Sequence, residues 1–181
     1  MHKTRKALNE EVNKSFDDVI QWLDGQNDSH LNASLYEDKW TAAQHLFHLV
    51  KSSKATSNGF NLPKEKIKEL FGQLDRDQYN ADQLNAVYKQ ALAGGLKSPS
   101  QFVSDPNRMF TKAELKKRLQ DEKENFKVSL LKWNDDELSS YVMPHPAIGN
   151  LTLYEFCLFN SMHNFHHLET LKTKYQEKAL T

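Results

Sequence analysis

Long stretches without glycine or proline are the feature of this sequence that most restricts its fold. Helix interiors tolerate these two residues least, so an unbroken stretch of about 20 residues is long enough for a packed helix. We assign packed helices to four such stretches, at 4–24, 41–57, 111–131 and 152–175. In the first of them, the apolar side chains recur every three to four residues, as one face of an amphipathic helix requires. These side chains are Leu8, Val12, Phe16, Val19 and Leu23.

Three of the four predicted helices begin with the sequence pattern of a capping box. Thr41, Thr111 and Thr152 are each followed, three positions later, by Gln or Glu. In a capping box the Thr hydroxyl accepts a hydrogen bond from the backbone of that third residue, whose own side chain reaches back to the N-cap backbone. Local chemistry therefore predicts three helix starts independently of the hydrophobic pattern.

A long connection, residues 58–110, joins the second predicted helix to the third and contains most of the glycines and prolines of the chain. Short helices are expected within it at 64–71 and 81–93. A second irregular segment, residues 141–150, leads into the fourth helix, and we find no strand pattern elsewhere. The sequence therefore predicts one all-α domain over residues 1–181, a four-helix bundle with a long crossover between helices two and three. Such bundles commonly hold metal or cofactor sites between facing helices.

The charge balance bears on the class of partner. The chain has 24 basic and 24 acidic side chains, a formal net charge of zero, whereas nucleic acids and anionic membranes are normally held by a basic excess. No apolar run approaches the roughly 20 residues of a membrane span. A single cysteine cannot form an internal disulfide, and the first residues lack the apolar core of a signal peptide. We expect a cytoplasmic protein that acts on a small molecule and binds neither nucleic acid nor membrane.

Five of the eight histidines fall on the second and fourth predicted helices. His163 and His167 lie about 40° apart around the helix axis at about 100° per residue, so two imidazoles can converge on one metal ion. Core histidines satisfied by hydrogen bonds would show the same spacing. On the second helix, either His45 or His48 can supply a third ligand. His45 lies nearer the apolar boundary, whereas the sector around His48 contains no charged residue, which is typical of a sheltered pocket.

Three further side chains are candidates for a pocket beside these histidines. Asn160 lies one turn before His163 on the same stripe, where it either orients a ligand or makes an inert hydrogen bond between helices. His166 points to the flank of that stripe. His145, between two prolines, is either a simple loop residue or part of the pocket mouth. The remaining histidines, His2 and His30, are expected to be exposed and are assigned no role.

Two segments resemble a known family. The first, Trp40-Thr-Ala-Ala-Gln-His-Leu-Phe-His48-Leu, resembles helix two of the DinB/YfiT-like superfamily of bacterial metal-binding four-helix bundles. The second begins His145-Pro-Ala-Ile-Gly149-Asn-Leu-Thr, continues to His167, and resembles the loop and final helix of that superfamily. The order of elements agrees over nearly the whole chain.

In that family three histidines hold a divalent metal, one from helix two and a His-x-x-x-His pair from the last helix. The resemblance implies that His48, His163 and His167 are the ligands. His45 stands where many relatives carry an apolar residue, and it is expected to donate a hydrogen bond near the ligands.

The resemblance also implies a range of activities. Three neutral imidazoles leave a divalent ion open positions for water or substrate, as in catalytic sites. Family members with assigned activities use the metal for the chemistry of low-molecular-weight thiols such as bacillithiol or mycothiol, and relatives are often homodimers. One hypothesis is a metal-dependent enzyme of the thiol S-transferase or hydrolase type. The alternative is a non-catalytic, metal-stabilised stress-associated or interaction protein. Zinc, nickel and iron all accept imidazole, and zinc is the first choice by availability.

Overall fold

Four long helices form the frame of the protein in the computed structural model, which describes residues 3–37 and 39–175. In chain order the helices are α1 (Arg5–Asp24), α2 (Asp28–Asn32), α3 (Ala42–Phe60), α4 (Lys64–Phe71), α5 (Ala81–Ala93), α6 (Lys112–Leu130), α7 (Asp135–Ser140) and α8 (Leu153–Tyr175). The long members α1, α3, α6 and α8 coincide with the four predicted helices to within a turn, and α4 and α5 have the predicted bounds. The predicted fold class is therefore confirmed.

The long helices pack around one apolar core. Helix α1 contacts α6 and α8, and α3 contacts the same two helices, so α1 and α3 lie diagonally opposite each other. The core between them is filled by large side chains from all four helices. Fully buried examples are Phe16, Leu46, Phe60, Leu115, Phe126 and Leu171.

Reciprocal hydrogen bonds fix the first turns of the two helices that carry most of the histidines. At α3, Thr41 Oγ1 accepts from the Gln44 backbone N–H at 3.2 Å, and Gln44 Oε1 accepts from the Thr41 N–H at 2.8 Å. At α8, Thr152 Oγ1 accepts from the Glu155 N–H at 3.1 Å, and Glu155 Oε2 accepts from the Thr152 N–H at 2.7 Å. Both predicted capping boxes are confirmed.

The third predicted capping box forms only in part. Thr111 Oγ1 accepts from the Glu114 N–H at 3.1 Å. The Glu114 carboxylate instead forms ion pairs with Arg108 and Arg118, at 2.7 and 2.9 Å. Two cations compete successfully with the backbone N–H for this carboxylate, which the local sequence pattern cannot reveal.

The segment before α8 is a hairpin, and the prediction of an irregular segment was wrong there. Strand β1 (Val142–His145) pairs antiparallel with β2 (Gly149–Thr152), with His145 opposite Gly149. Gly149 has φ near +80°, which residues with a side chain rarely adopt, and the chain turns there. Strands of four residues, with Pro144 inside the first and Pro146 just after it, are too short to show an alternating pattern. The helices α2 and α7 were missed because five or six residues show no helical period.

A buried ion pair attaches the crossover to the start of α8. The Glu155 side chain is fully buried, and Arg76 binds it through Nη1 at 2.7 Å and Nη2 at 3.1 Å. Glu155 Oε1 also accepts from the Tyr79 backbone N–H at 2.6 Å, and the Arg76 guanidinium lies 3.5 Å from the centre of the Tyr79 ring. These contacts hold the crossover against the helix that carries His163 and His167.

None of the helices among residues 3–37 and 39–175 combines the length and the apolar character that crossing a membrane requires.

Candidate metal centre

Three buried histidines from two facing helices bring their ring nitrogens together. His48 Nε2 of α3 lies 3.2 Å from His163 Nε2 of α8, which lies 3.1 Å from His167 Nε2. One ligand atom from each ring lies within 4.8 Å of those of the other two, and each residue is less than one-tenth exposed. Zinc–nitrogen bonds of about 2.0–2.1 Å arranged tetrahedrally would separate two ligand nitrogens by about 3.4 Å. The spacing therefore fits a single metal ion bound by three imidazoles.

The tautomer of His48 is set by a backbone carbonyl. Its Nδ1 lies 3.2 Å from the Phe102 carbonyl oxygen, which can only accept a hydrogen bond. Nδ1 therefore carries the hydrogen, and in the neutral ring Nε2 presents a lone pair. Burial lowers the pKa of His48 to about 4, so the ring is neutral near pH 7.

The tautomer of His163 follows from a similar chain of contacts. Its Nδ1 lies 3.5 Å from Ser52 Oγ, and the Ser52 hydroxyl donates to the Leu49 carbonyl at 3.1 Å. Because that hydroxyl hydrogen is already used, Ser52 accepts from His163, whose Nε2 then presents a lone pair as well. Burial holds the pKa of His163 well below its usual value, so the ring carries one proton and not two. The Nε2 atoms of His48 and His163, 3.2 Å apart, then both carry lone pairs and no hydrogen, which is the protonation state of histidines that bind a metal through Nε2.

His45 lies beside the group of three, against a ligand candidate. Its Nδ1 is 2.9 Å from His167 Nδ1, so one of these nitrogens donates and the other accepts. When His167 presents the lone pair of Nε2 like the other two rings, its Nδ1–H donates to His45. His45 then accepts a hydrogen bond, opposite to the direction that the sequence comparison led us to expect. Burial lowers the pKa of His45 to about 4, which keeps its ring neutral for that role.

Trp40 encloses the group on one side and had been assigned no site role from the sequence. Its ring is stacked on His167, with centroids 6.4 Å apart and 9° between the planes, and lies 5.0 Å from the His48 ring. The Tyr175 hydroxyl donates to the Trp40 carbonyl. The signal that could have identified Trp40 is its position just before the N-cap Thr41, where an apolar side chain packs back onto the helix.

A cavity of about 550 Å³ lies directly beside the three histidines. Its wall is contributed by α3, α5, the turn at 100–102, the hairpin and α8, and it is mainly apolar. Wall residues include Tyr88, Leu92, Leu96, Phe102, Met143 and Phe159. The crossover thus covers the open side between α3 and α8. The length of the crossover is sufficient to run the height of the bundle. Because this segment is rich in glycine and proline, which interrupt any regular period, the sequence does not predict which of its side chains face the cavity.

Two of the pocket candidates, His145 and His166, lie at the cavity wall, and they differ in burial. The ring of His145 lies 4.3 Å from that of Phe159, and its Nδ1 accepts from the Ala147 backbone N–H at 3.2 Å. Burial lowers the pKa of His145 to about 4, so the neutral ring carries its hydrogen on Nε2. His166 is exposed at the cavity edge, with its ring 5.8 Å from that of Tyr88.

Asn160 makes the hydrogen bond between helices that the sequence left as one of two options. Its Nδ2 donates to Ser53 Oγ of α3 at 3.1 Å. Asn160 also lines the cavity, and its Oδ1 is buried without a hydrogen-bond partner among the residues that the structure describes. The side chain therefore links two helices and retains an unused acceptor.

The two remaining histidines lie apart from this site. His30 was expected to be exposed, but it is half-buried, because its Nε2 contacts the Tyr175 carbonyl at 2.8 Å and its Nδ1 contacts Gln26 Oε1 at 2.7 Å. His2 lies outside the described residues.

Comparison with known proteins gives the family. The sequence profile described as the DinB superfamily matches residues 11–171, and no curated protein matches the chain. An uncharacterised protein from Clostridium difficile 630 is 18% identical, with 99% of this chain and 97% of that chain covered and a TM-score of 0.57. A protein from Streptococcus pneumoniae is 17% identical, with 98% and 92% covered and a TM-score of 0.61. These likenesses show the fold, and the profile match shows that the chain belongs to the DinB superfamily.

Proposed function

We propose that this protein is a divalent-metal-dependent enzyme that acts on a small molecule. The observation that carries the proposal is the position of the three histidines: all three line the wall of the cavity. Structural metal sites are closed by four protein ligands, whereas catalytic sites keep a position for water or substrate. A three-histidine group beside a cavity of this size favours the second kind.

The side chains around the site have two roles: three histidines would bind the ion, and their neighbours fix the orientation and tautomer of those histidines. His48, His163 and His167 would hold the ion through Nε2. A bound divalent ion supplies a Lewis acid that lowers the pKa of a thiol or of water. The contacts to the Nδ1 atoms keep each ring in the tautomer that exposes Nε2, and such contacts commonly change metal affinity 10- to 100-fold.

Among reaction types, we propose transfer of a small thiol to an electrophile, with hydrolysis as the second possibility. A thiol R–SH and an electrophile R′–X give R–S–R′, X⁻ and a proton that passes to solvent. The largely apolar wall offers few polar groups that could hold a water molecule for attack, which supports transfer over hydrolysis. Family resemblance supports the thiol, and bacillithiol and mycothiol are the donors to test.

The first experiment measures metal content and thiol transfer on the same preparations. The purified protein is expected to hold about one divalent ion per chain, since three ligands form one site. Conjugation of bacillithiol or mycothiol to 1-chloro-2,4-dinitrobenzene should require that ion. His163→Ala should lose both metal and activity, whereas His30→Ala, away from the cavity, should keep both. Equally low metal content in the unaltered protein and in His163→Ala would contradict the proposal.

A non-catalytic role has one observation in its favour. The candidate ligands come from α3 and α8, so an ion would link two helices and stabilise the bundle. Cobalt-substituted protein separates the two roles. A thiol that reaches an open position changes the visible spectrum of the cobalt, as the enzyme proposal requires. An unchanged spectrum, together with a lower melting temperature after chelation, would favour the stabilising role of a stress-associated or interaction protein.

A further inference from the structure

We infer that Lys97 binds a carboxylate of the ligand at the rim of the cavity, so that the preferred thiol is one that carries a negative charge. The inference rests on the proposed function and deepens it by naming the class of thiol that the site selects. Of the two donors named above, bacillithiol carries carboxylates and mycothiol carries none. The supporting observations are the charge of the wall, the position of Lys97 and the charges around the histidines.

The cavity wall carries one sign of permanent charge. Among the described residues that line the cavity, Lys97 is the one with a permanent charge, and none is an aspartate or a glutamate. Lys97 also forms no ion pair with any residue that the structure describes. A cleft lined by one sign of charge concentrates ligands of the opposite sign. The wall therefore favours an anion over a neutral molecule, and a neutral molecule over a cation.

The position of Lys97 allows a carboxylate to bind there and keep part of its hydration. Lys97 is exposed, whereas the next residue, Ser98, is partly buried and its Oγ lies 3.4 Å from Nδ1 of His48. The chain thus passes from the exposed rim to the candidate metal centre within two residues. A carboxylate in the apolar interior would lose its water, which is costly. At the rim it avoids that loss, while the thiol end of the same molecule extends inward to the histidines.

The charges around the histidines have the same sign as Lys97. Among the described residues, the permanently charged side chains that act electrostatically on His45, His48 and His166 are all lysines, although the chain has as many acidic as basic side chains. These lysines are Lys51, Lys89 and Lys174. Such charges attract anions over about 8–10 Å at physiological ionic strength. An anionic thiol is therefore drawn towards the cavity that holds the candidate metal centre.

Calorimetric titration of chelator-stripped protein with three matched probes tests the inference. The probes are 4-phenylbutyrate, 4-phenylbutyramide and 4-phenylbutylamine, whose phenyl group holds them in the mainly apolar cavity when no metal is bound. We expect the carboxylate to bind about threefold more tightly than the amide, and the amide about threefold more tightly than the amine, as is typical of exposed ion pairs. Added salt should reduce both ratios. Equal affinities, tightest binding of the amine, or no binding by any probe would overturn the inference.

Substitutions of exposed lysines assign the preference to Lys97. Lys97→Gln should lose most of the preference for the carboxylate, and Lys97→Glu should bind the amine most tightly. Because Lys97 is exposed, neither change disturbs the core. Lys117→Gln is the matched control, since Lys117 is an exposed lysine of α6 that does not line the cavity, and it should keep the preference. A full preference in Lys97→Gln would overturn the assignment.

Kinetics of the metal-loaded protein extend the test to the thiols themselves. Lys97→Gln should raise the KM for bacillithiol about threefold more than the KM for mycothiol, because only the first has a carboxylate to lose its partner. An equal change for both thiols would overturn the inference. The titrations use metal-free protein, so failure to find a bound metal would refute the enzyme proposal and leave these affinities standing. Loss of the charge preference in a metal-loaded, active enzyme would refute only this inference.

Discussion

His45 is expected to control metal affinity without holding the ion. Its Nδ1 is the hydrogen-bond partner that the structure shows for His167 Nδ1, at 2.9 Å, and the His167 ring is buried. In His45→Ala the buried N–H of His167 would lose that partner whenever Nε2 is used for metal. The metal-free ring can change tautomer and escape the penalty, so the penalty falls on the metal-bound form. A cost of about 1–3 kcal/mol corresponds to zinc binding about 5- to 150-fold weaker.

Competition with a chromophoric zinc chelator measures this effect across four variants. His45→Asn should restore most of the affinity, because Asn Oδ1 lies near the place of His Nδ1 and can accept the same hydrogen bond. His48→Ala removes a ligand and should weaken binding by more than about 1,000-fold, well beyond the range typical of a ligand's partner. His166→Ala, at the cavity edge, should stay within about twofold of the unaltered protein. Unchanged affinity in His45→Ala, or a loss as large as that in His48→Ala, would refute the reasoning.

Two predictions concern stability. Arg76→Met leaves the fully buried Glu155 carboxylate without its ion-pair partner. Because the Arg76 side chain is 23% exposed, we expect the free energy of unfolding in urea to fall by about 3 kcal/mol, the lower end of the range for a broken buried ion pair. Lys117→Met removes one partner of an exposed ion pair and should change the free energy of unfolding by less than about 0.5 kcal/mol. An equal effect of both variants would contradict the stabilising role of the buried Arg76–Glu155 pair. Burial raises the pKa of Glu122 in the folded protein, so the stability linked to its protonation is present at low pH and is lost as the pH rises through the folded pKa. Glu122→Gln should therefore be more stable than the unaltered protein at pH 7 and nearly equal to it near pH 4; a difference that does not vary with pH would contradict this.

The parts of the fold that could be predicted are those where two kinds of local signal agree. Helix α3 begins at a capping box and continues in an apolar pattern, and both signals come from neighbouring residues. The pairing of His145 with Gly149 depends instead on a tight turn between two short strands. Four-residue strands carry too little pattern to be distinguished from a loop, so the hairpin could not be foreseen.

The part of the candidate site that could be predicted is the part that lies on the long helices α3 and α8. Helical spacing placed His163 and His167 on one face, and the absence of charge around His48 indicated a sheltered sector. The structure brings these three together. Tyr88 and Phe102 face the same cavity from the crossover, and their positions depend on tertiary packing that no periodic signal encodes. Dimer formation stays a prediction.

Crystals of zinc-loaded protein, measured on both sides of the zinc absorption edge, test the central claim most directly. The account predicts one strong anomalous peak per chain, bonded to the Nε2 atoms of His48, His163 and His167 at about 2.0–2.1 Å. That peak should border the cavity. The absence of a peak there in zinc-replete crystals, or a peak bonded to His45 in place of His48, would contradict the account.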